Sequence, residues 1–183
     1  NASSGALTWR GVLKDGQGGV DGLYSAGKLV VSPEGTHVYV TAYDDDAVSW
    51  YQRNPVSGAL TWLGVAKDGV SGVDGLDGAG DLLLSEDGQF LYVGGAVDSA
   101  VAWFDRNAST GALTYLSLVR DGANGVDGLG AVTSIASNPS GSILYASSQH
   151  DHSVTWFDRN ASTGSLTYVN IIRNGDPGIN SLN

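Results

Sequence analysis

The chain has 183 residues and a net charge of −10, from 19 acidic and 9 basic residues. This length suffices for a domain with a hydrophobic core, and the acidic balance disfavours nucleic acids and anionic membranes as partners. No apolar run reaches the roughly 18 residues that a spanning helix needs, so we expect no membrane insertion. Because cysteine is absent, neither disulfides nor thiolate chemistry can contribute.

The predicted elements repeat along the chain with a period of 53 residues. The motif DGQGGVDGL at 15–23 returns as DGVSGVDGL at 68–76 and as DGANGVDGL at 121–129, and a diverged copy, NGDPGINSL, closes the chain at 174–182. Repeats of about this length indicate solenoids, propellers or arrays. The repeat therefore determines how the rest of the sequence is divided.

In chain order, the first predicted element is an isolated strand at 6–13. The first full unit then shows four short segments rich in Val, Tyr and Thr, with turn residues between them and no helical periodicity. We predict strands at about 27–32, 36–42, 47–52 and 59–66. Four antiparallel strands in each unit favour the blade of a β-propeller over a solenoid.

The predicted fold class is therefore all-β: a β-propeller with three complete four-stranded antiparallel blades and an extra outer strand. The blades are predicted at about 24–66, 77–119 and 130–173, with the outer strand at 6–13. Rings have about four to eight blades, so we expect part of a larger ring of about six to eight blades. Its open faces predict contacts with other copies of the chain or with the missing remainder of a propeller.

The blade sequences also resemble a known family. The segments SPEGTHVYVTAY at 32–43, AVSWYQRN at 47–54 and SGALTW at 57–62 resemble blades of the lactonase-type seven-bladed propellers. They are similar as well to the surface-layer propeller repeats of bacteria and archaea. The resemblance covers essentially the whole chain, and it implies the propeller fold more strongly than it implies an activity.

One face of the predicted propeller carries the residues that differ between repeats. Strand direction places the loop between the second and third strands beside the loop that leads into the next blade, and a specific ligand site must break the internal symmetry. The candidate ligand-binding residues on this face are Tyr24, Lys28, Tyr43, Asp44, Asp46, Asp77, Asp81, His150 and His152. Neutral variation of exposed loops is the alternative, and a Lys28–Asp81 ion pair between blades is the simpler interpretation of those two residues.

The repeated Asp-Gly loops are candidates for metal binding. Carboxylates and free carbonyls suit Ca²⁺, which takes about 6–8 oxygen ligands. The candidate ligands are Asp15, Asp21, Asp68, Asp74, Asp121 and Asp127. Alternatively, these aspartates cap their own turns while glycine supplies positive φ angles.

Near-identical units favour a non-enzymatic module over an enzyme, because a catalytic site needs residues that occur once. The main functional hypothesis is thus a propeller module of an exported or cell-surface protein that serves binding or assembly through its loop face. A lactonase-type hydrolase acting on a sugar lactone is the alternative that the resemblance implies, and a calcium-stabilised adhesive array is a third. The expected location is extracellular, on the cell surface or periplasmic.

Overall fold

The computed structural model describes residues 4–178, which form twelve β-strands and no helix. No helix among these residues is therefore long and apolar enough to cross a membrane. The strands are β1 (Ala26–Val31), β2 (His37–Ala42), β3 (Ala47–Arg53), β4 (Leu60–Lys67), β5 (Ala79–Leu84), β6 (Phe90–Gly95), β7 (Ala100–Arg106), β8 (Leu113–Arg120), β9 (Val132–Ser137), β10 (Ile143–Ser148), β11 (Ser153–Arg159) and β12 (Leu166–Arg173).

The strands form three separate four-stranded antiparallel sheets, in the orders β1-β2-β3-β4, β5-β6-β7-β8 and β9-β10-β11-β12. We call these sheets blades 1, 2 and 3. Their inner strands β1, β5 and β9 contact one another in series, as expected around the axis of a propeller. The predicted all-β, partial-propeller fold is confirmed, and the strands of the first unit begin and end within one residue of the prediction.

Residues 6–13 form no β-strand in the described chain. Leu7 and Trp9 are 99% and 81% exposed, whereas Leu13 packs beside Val38 and Tyr51 of blade 1. A strand needs a neighbour for its hydrogen bonds, and none of the three described sheets includes this segment. Its role as the outer strand of a further blade stays a prediction, and the diverged motif at 174–182 lies partly outside the described residues.

The hydrophobic core lies between blades. Tyr39 and Val48 of blade 1 pack against Leu76, Leu91 and Phe104 of blade 2 in one cluster, and an equivalent cluster joins blades 2 and 3. Each blade thus buries one face of its sheet against the next, as stacked layers must. At the open end of blade 1, by contrast, Leu29 of β1 is 58% exposed.

A tyrosine and an arginine join each pair of neighbouring blades. The Tyr39 hydroxyl donates to the Gly111 carbonyl at 2.9 Å and accepts from Arg106 Nε at 2.6 Å, and Arg106 also pairs with Glu34. We call this arrangement the tyrosine–arginine clamp. It recurs 53 residues later, where Tyr92 contacts Gly164 and Arg159 at 2.7 Å each and Arg159 pairs with Asp87.

The clamp explains the constant tyrosine at this position of the repeat. Tyr39 and Tyr92 are fully buried between blades, whereas Tyr145, which is followed by no described blade, is 36% exposed. Burying a tyrosine hydroxyl is costly unless it is hydrogen-bonded. The clamp therefore allows large aromatic side chains to fill the space between blades.

Candidate functional site

The loops between the second and third strands and the loops entering the next blade lie together on one face, which we call the loop face. An aspartate recurring every 53 residues joins them by accepting a hydrogen bond from the facing loop's backbone. The bonds run from Tyr24 N to Asp45 (2.9 Å), Asp77 N to Asp98 (3.1 Å) and Gly130 N to Asp151 (2.6 Å). The loops are thus fixed to one another.

A cleft of about 480 Å³ opens on the loop face and spans all three blades. Its polar side chains are neutral hydroxyls and an amide, together with one imidazole, and its apolar side chains are small. The lining residues are Tyr43, Gly80, Ala96, Val97, Ser99, Ala131, Val132, Thr133, Gln149 and His150. This combination of apolar surface with a few polar groups is typical of a small-molecule site.

Two carboxylates lie beside this cleft. Gly78 N donates to Asp46 Oδ1 at 2.9 Å, and Asp77 is the residue just before Gly78. A Cβ atom on Gly78 would come within 2.8 Å of Val97 and 3.3 Å of Tyr43, and both side chains line the cleft. The Asp46–Asp77 pair therefore adjoins the cleft wall through Gly78.

The environment of Asp77 raises the proton affinity of its carboxylate. Burial, the negative charges of Asp46 and Asp98, and a hydrogen bond with Asp46 raise the pKa of Asp77 above its usual value of 3.8. Two carboxyls that share a proton are a common source of such a shift. A raised carboxyl pKa next to a cleft is typical of groups that transfer protons in catalysis.

The pair occurs only once in the three repeats. Asp77 is replaced by Tyr24 and Gly130 at the equivalent positions, and Asp46 is replaced by Ser99 and His152. The corresponding backbone contact between blades 2 and 3 is a long one, from Ala131 N to Ser99 Oγ at 3.5 Å. The three repeats therefore differ beside the cleft, at the positions where catalytic side chains would be expected.

Lys28 and Asp81 form the ion pair between blades that the sequence suggested. Lys28 Nζ lies 3.3 Å from Asp81 Oδ1, and Asp81 Oδ2 accepts from Ser134 Oγ at 2.9 Å and Ile135 N at 2.8 Å. Asp81 is 4% exposed. It ties the inner strands of all three blades together, and the preceding residue in its strand, Gly80, lines the cleft.

The remaining predicted ligand-binding residues divide into two groups. Tyr43 and His150 line the cleft. Asp44 instead accepts a hydrogen bond from Ser25 Oγ, while Tyr24 is 63% exposed and His152 lies in an exposed turn with φ of 50°. The structure therefore places Tyr43 and His150 on the wall of one cleft, but does not add Tyr24, Asp44 or His152 to that wall.

The Asp-Gly loops contain aspartates that stabilise the loops themselves. The first aspartate of each loop accepts a hydrogen bond from the backbone eight residues later, at 3.0 Å in every repeat. The donors and acceptors are Leu23 and Asp15, Leu76 and Asp68, and Leu129 and Asp121. This is the capping role that the sequence suggested as the alternative to metal binding.

The second aspartate of each loop pairs with a cation from the end of the outer strand. Lys67 Nζ lies 2.8 Å from Asp21 and 3.4 Å from Asp45, and the hydrogen bond with Asp21 raises the pKa of Lys67. Arg120 contacts Asp74 at 2.7 Å and Asp98 at 2.8 Å, and Arg173 pairs with Asp127.

The two groups Asp15–Asp21–Asp45 and Asp68–Asp74–Asp98 each bring their carboxylate oxygens within 4.8 Å of one another. In each group, two of the three carboxylates already contact a Lys or Arg side chain, so calcium binding at these loops stays a prediction. Sequence reasoning missed Lys67 and its equivalents, although their recurrence every 53 residues could have revealed them.

Comparison with known proteins identifies the repeat. The family described as lactonase, 7-bladed beta-propeller, matches residues 28–178. A candidate 6-phosphogluconolactonase from Bacteroides fragilis has a similar structure, with a TM-score of 0.67, 22% identity and coverage of 81% of this chain and 39% of that protein. The periplasmic gluconolactonase of Pseudomonas aeruginosa gives a TM-score of 0.67, 23% identity and coverage of 81% and 39%.

A protein from Lactobacillus plantarum is similar over the same region, with a TM-score of 0.70, 23% identity and coverage of 82% of this chain and 42% of that protein. The chain thus spans about two fifths of the length of these structures, between 39% and 42%. No curated protein sequence matches the chain.

These similarities contradict the main functional hypothesis drawn from the sequence, a non-enzymatic module for binding or assembly. The family match and the lactonase neighbours support instead the alternative, a lactonase-type hydrolase. The hypothesis was wrong because it treated the near-identity of the blades as evidence that the chain lacks residues found in only one repeat, which a catalytic site needs. The Asp46–Asp77 pair is formed by two loops from different repeats, so it becomes visible only when the blades are stacked.

Proposed function

Because the chain belongs to the lactonase family of seven-bladed β-propellers, we propose that it forms part of a hydrolase that opens a sugar lactone in the loop-face cleft. The observation that carries this proposal is the Asp46–Asp77 pair beside the cleft. The chain spans about two fifths of its structural neighbours, between 39% and 42%, so further blades would complete the walls of the site.

The proposed reaction is general-base hydrolysis. Ionised Asp77 accepts a proton from a water molecule as that water adds to the lactone carbonyl, and the ring C–O bond then breaks. The departing ring oxygen takes that proton from Asp77, which is ionised again, so one water is consumed and a hydroxy acid is formed. Asp46 strengthens the base, because its negative charge and hydrogen bond raise the proton affinity of Asp77.

The other residues of the cleft would bind the sugar. Tyr43, Ser99 and Thr133 provide hydroxyls and Gln149 provides an amide, groups that can both donate and accept hydrogen bonds as sugar hydroxyls do. Val97 and Val132 offer apolar surface to the ring carbons. The volume, about 480 Å³, is within the range of about 300–1,000 Å³ that small-molecule sites occupy.

The test is the rate of acid release from glucono-1,5-lactone, measured by pH-stat above the spontaneous rate. We expect Asp77→Asn to lower the enzymatic rate by about 10²–10⁴-fold, as loss of a general base does, and Asp46→Asn to lower it less. Asp105→Asn, at an exposed position of β7, is the matched control and should leave the rate unchanged. A rate equal to the spontaneous one, or an unaltered Asp77→Asn variant, would refute the proposal.

The proposed location is the periplasm. The support is the similarity to the Pseudomonas gluconolactonase, which is described as periplasmic. Release of the native protein by osmotic shock is expected, and its retention with cytoplasmic markers would contradict this part of the proposal.

A further inference from the structure

We infer that the cleft accepts uncharged sugar lactones and rejects phosphorylated ones. The inference rests on the proposed hydrolase function, because it names the substrate class of the same site. It follows from the charges on and around the cleft, which distinguish two substrate types that differ mainly by a phosphate group.

The part of the cleft wall that the described residues form offers no fixed positive charge. Among the described residues that line it, none is Lys or Arg, and the polar groups are hydroxyls, an amide and the His150 imidazole. Proteins bind phosphate through Arg, Lys or arrays of backbone amides, because these groups balance the negative charge. Neutral donors and acceptors match the hydroxyls of an unphosphorylated sugar instead.

The basic side chains nearest to this face are already paired with carboxylates of the chain. Lys28 pairs with Asp81, Lys67 with Asp21 and Asp45, Arg120 with Asp74 and Asp98, and Arg173 with Asp127. A phosphate would have to replace carboxylates that also hold the loops or, in the case of Asp81, the inner strands. These cations therefore act within the protein rather than on a ligand.

The other basic residues lie elsewhere. Arg53, Arg106 and Arg159 each donate to a glycine carbonyl in the turn between the first two strands of a blade, on the opposite face. Arg10 lines a different cavity beside Leu60, and Lys14 precedes the first Asp-Gly loop and does not line the cleft. All 9 basic residues of the chain are thereby accounted for.

The carboxylates beside the cleft would also repel a phosphate. Asp46 and Asp77 adjoin the wall, and the chain carries a net charge of −10. Like charges at short range disfavour binding, and a cleft of one sign repels ligands of that sign before contact. Phosphorylation of the substrate should thus weaken both encounter and binding.

The experiment compares glucono-1,5-lactone with 6-phosphoglucono-1,5-lactone. We expect kcat/KM to be at least about 10–100-fold higher for the unphosphorylated substrate at low salt, with the ratio falling as salt screens the repulsion. A phosphorylated substrate turned over equally well or better would overturn the inference.

A binding measurement separates this inference from the proposed function. Sorbitol and sorbitol 6-phosphate are open-chain polyols that differ by the same phosphate group and cannot be hydrolysed, so their calorimetric titration tests the charge selectivity of the cleft without catalysis. Binding of sorbitol alone without lactone turnover would support the cleft specificity and refute the hydrolase. Tighter binding of sorbitol 6-phosphate would refute the inference, and binding of neither compound would count against both.

A gain of function provides the second readout. Gln149→Lys places a cation in the cleft wall, and we expect it to raise the affinity for sorbitol 6-phosphate by about 10-fold through one new charge pair. Gln89→Lys makes the same substitution at an exposed turn on the opposite face and should change nothing. Equal affinities for sorbitol 6-phosphate in both variants would show that the compound does not bind in the loop-face cleft.

Discussion

Arg106 Nε donates a hydrogen bond to the Tyr39 hydroxyl at 2.6 Å and thereby joins blade 2 to blade 1. The guanidinium also contacts the Gly88 carbonyl at 3.0 Å and the carboxylate of Glu34. Because Arg106 and Tyr39 are both buried, the polar groups at this interface depend on each other for hydrogen bonds. The clamp is thus a point where removing one side chain leaves several groups unsatisfied.

Replacing this arginine should destabilise the protein strongly. Arg106→Leu removes the guanidinium donor from the Tyr39 hydroxyl, the Gly88 carbonyl and Glu34 at once, which we expect to cost about 3–5 kcal/mol of unfolding free energy. Arg53 occupies the same position in blade 1 but contacts only the Gly35 carbonyl in the described chain, so Arg53→Leu is the matched control and should cost about 1 kcal/mol. Urea denaturation measures both, and equal losses would contradict the clamp.

Glu34 makes the same interface sensitive to acid. Partial burial acts to raise the pKa of Glu34, but hydrogen bonds with its own backbone, Ser32, Arg106 and His37 outweigh it and lower the pKa from 4.5 to about 2. The ionised carboxylate therefore stabilises the fold above pH 4.5, and this stabilisation is lost as the pH falls from 4.5 to about 2.

The corresponding test is thermal unfolding as a function of pH. The melting temperature of the wild type should exceed that of Glu34→Gln at pH 6, and the difference should shrink as the pH approaches 2. A difference that stays constant over this range would show that the charge of Glu34 does not contribute.

His37 should be replaceable by phenylalanine. It is 4% exposed, and its Nδ1 lies 3.2 Å from Arg106 Nη2. The next repeat has Phe90 in this position, with the Arg159 guanidinium 5.5 Å from the ring centre. We expect His37→Phe to change the unfolding free energy by less than about 1 kcal/mol, because a cation–π contact replaces the hydrogen bond.

The matched variant for this position is His37→Ala. It should cost about 2–4 kcal/mol, because it leaves a cavity against Gly111. If phenylalanine were as harmful as alanine in chemical denaturation, the two interfaces would not be equivalent.

Removing a lysine tests the calcium hypothesis. Lys67 occupies the space between Asp21 and Asp45, so we expect calcium to leave the melting temperature of the wild type unchanged. Lys67→Met keeps the length of the side chain but frees the carboxylates, and this variant should gain a calcium-dependent rise in melting temperature. A calcium-dependent rise already present in the wild type would show that the loops bind the metal despite the lysine.

Much of the fold could be predicted from local patterns in the sequence. The 53-residue repeat and the turns between apolar segments were enough to predict three four-stranded blades. Residues 6–13 show the limit of this reasoning. They have the same pattern as β4, yet they form no strand in the described chain, because a strand depends on its neighbour as well as on its own sequence.

The site was harder to predict than the fold. Comparing repeats selected Asp46 and Asp77 individually, but they are 31 positions apart and belong to different repeats. Only the stacking of blade 1 on blade 2 places them next to Gly78 and the cleft. In the same way, the sequence alone did not single out Asp45 or Lys67, although together they hold the loops of the site in place.

The pH dependence of lactone hydrolysis tests the central claim most directly, that the Asp46–Asp77 pair is the base of a lactonase. For the wild type, kcat/KM above the spontaneous rate should rise with pH, with a midpoint above the usual aspartate pKa of 3.8, because the base must be ionised and its pKa is raised.

Asp46→Asn should move this midpoint to lower pH, because it removes the neighbouring negative charge. Asp77→Asn should abolish the pH-dependent rise, whereas Asp105→Asn should reproduce the wild-type profile. An unshifted midpoint in Asp46→Asn together with an active Asp77→Asn would contradict the account.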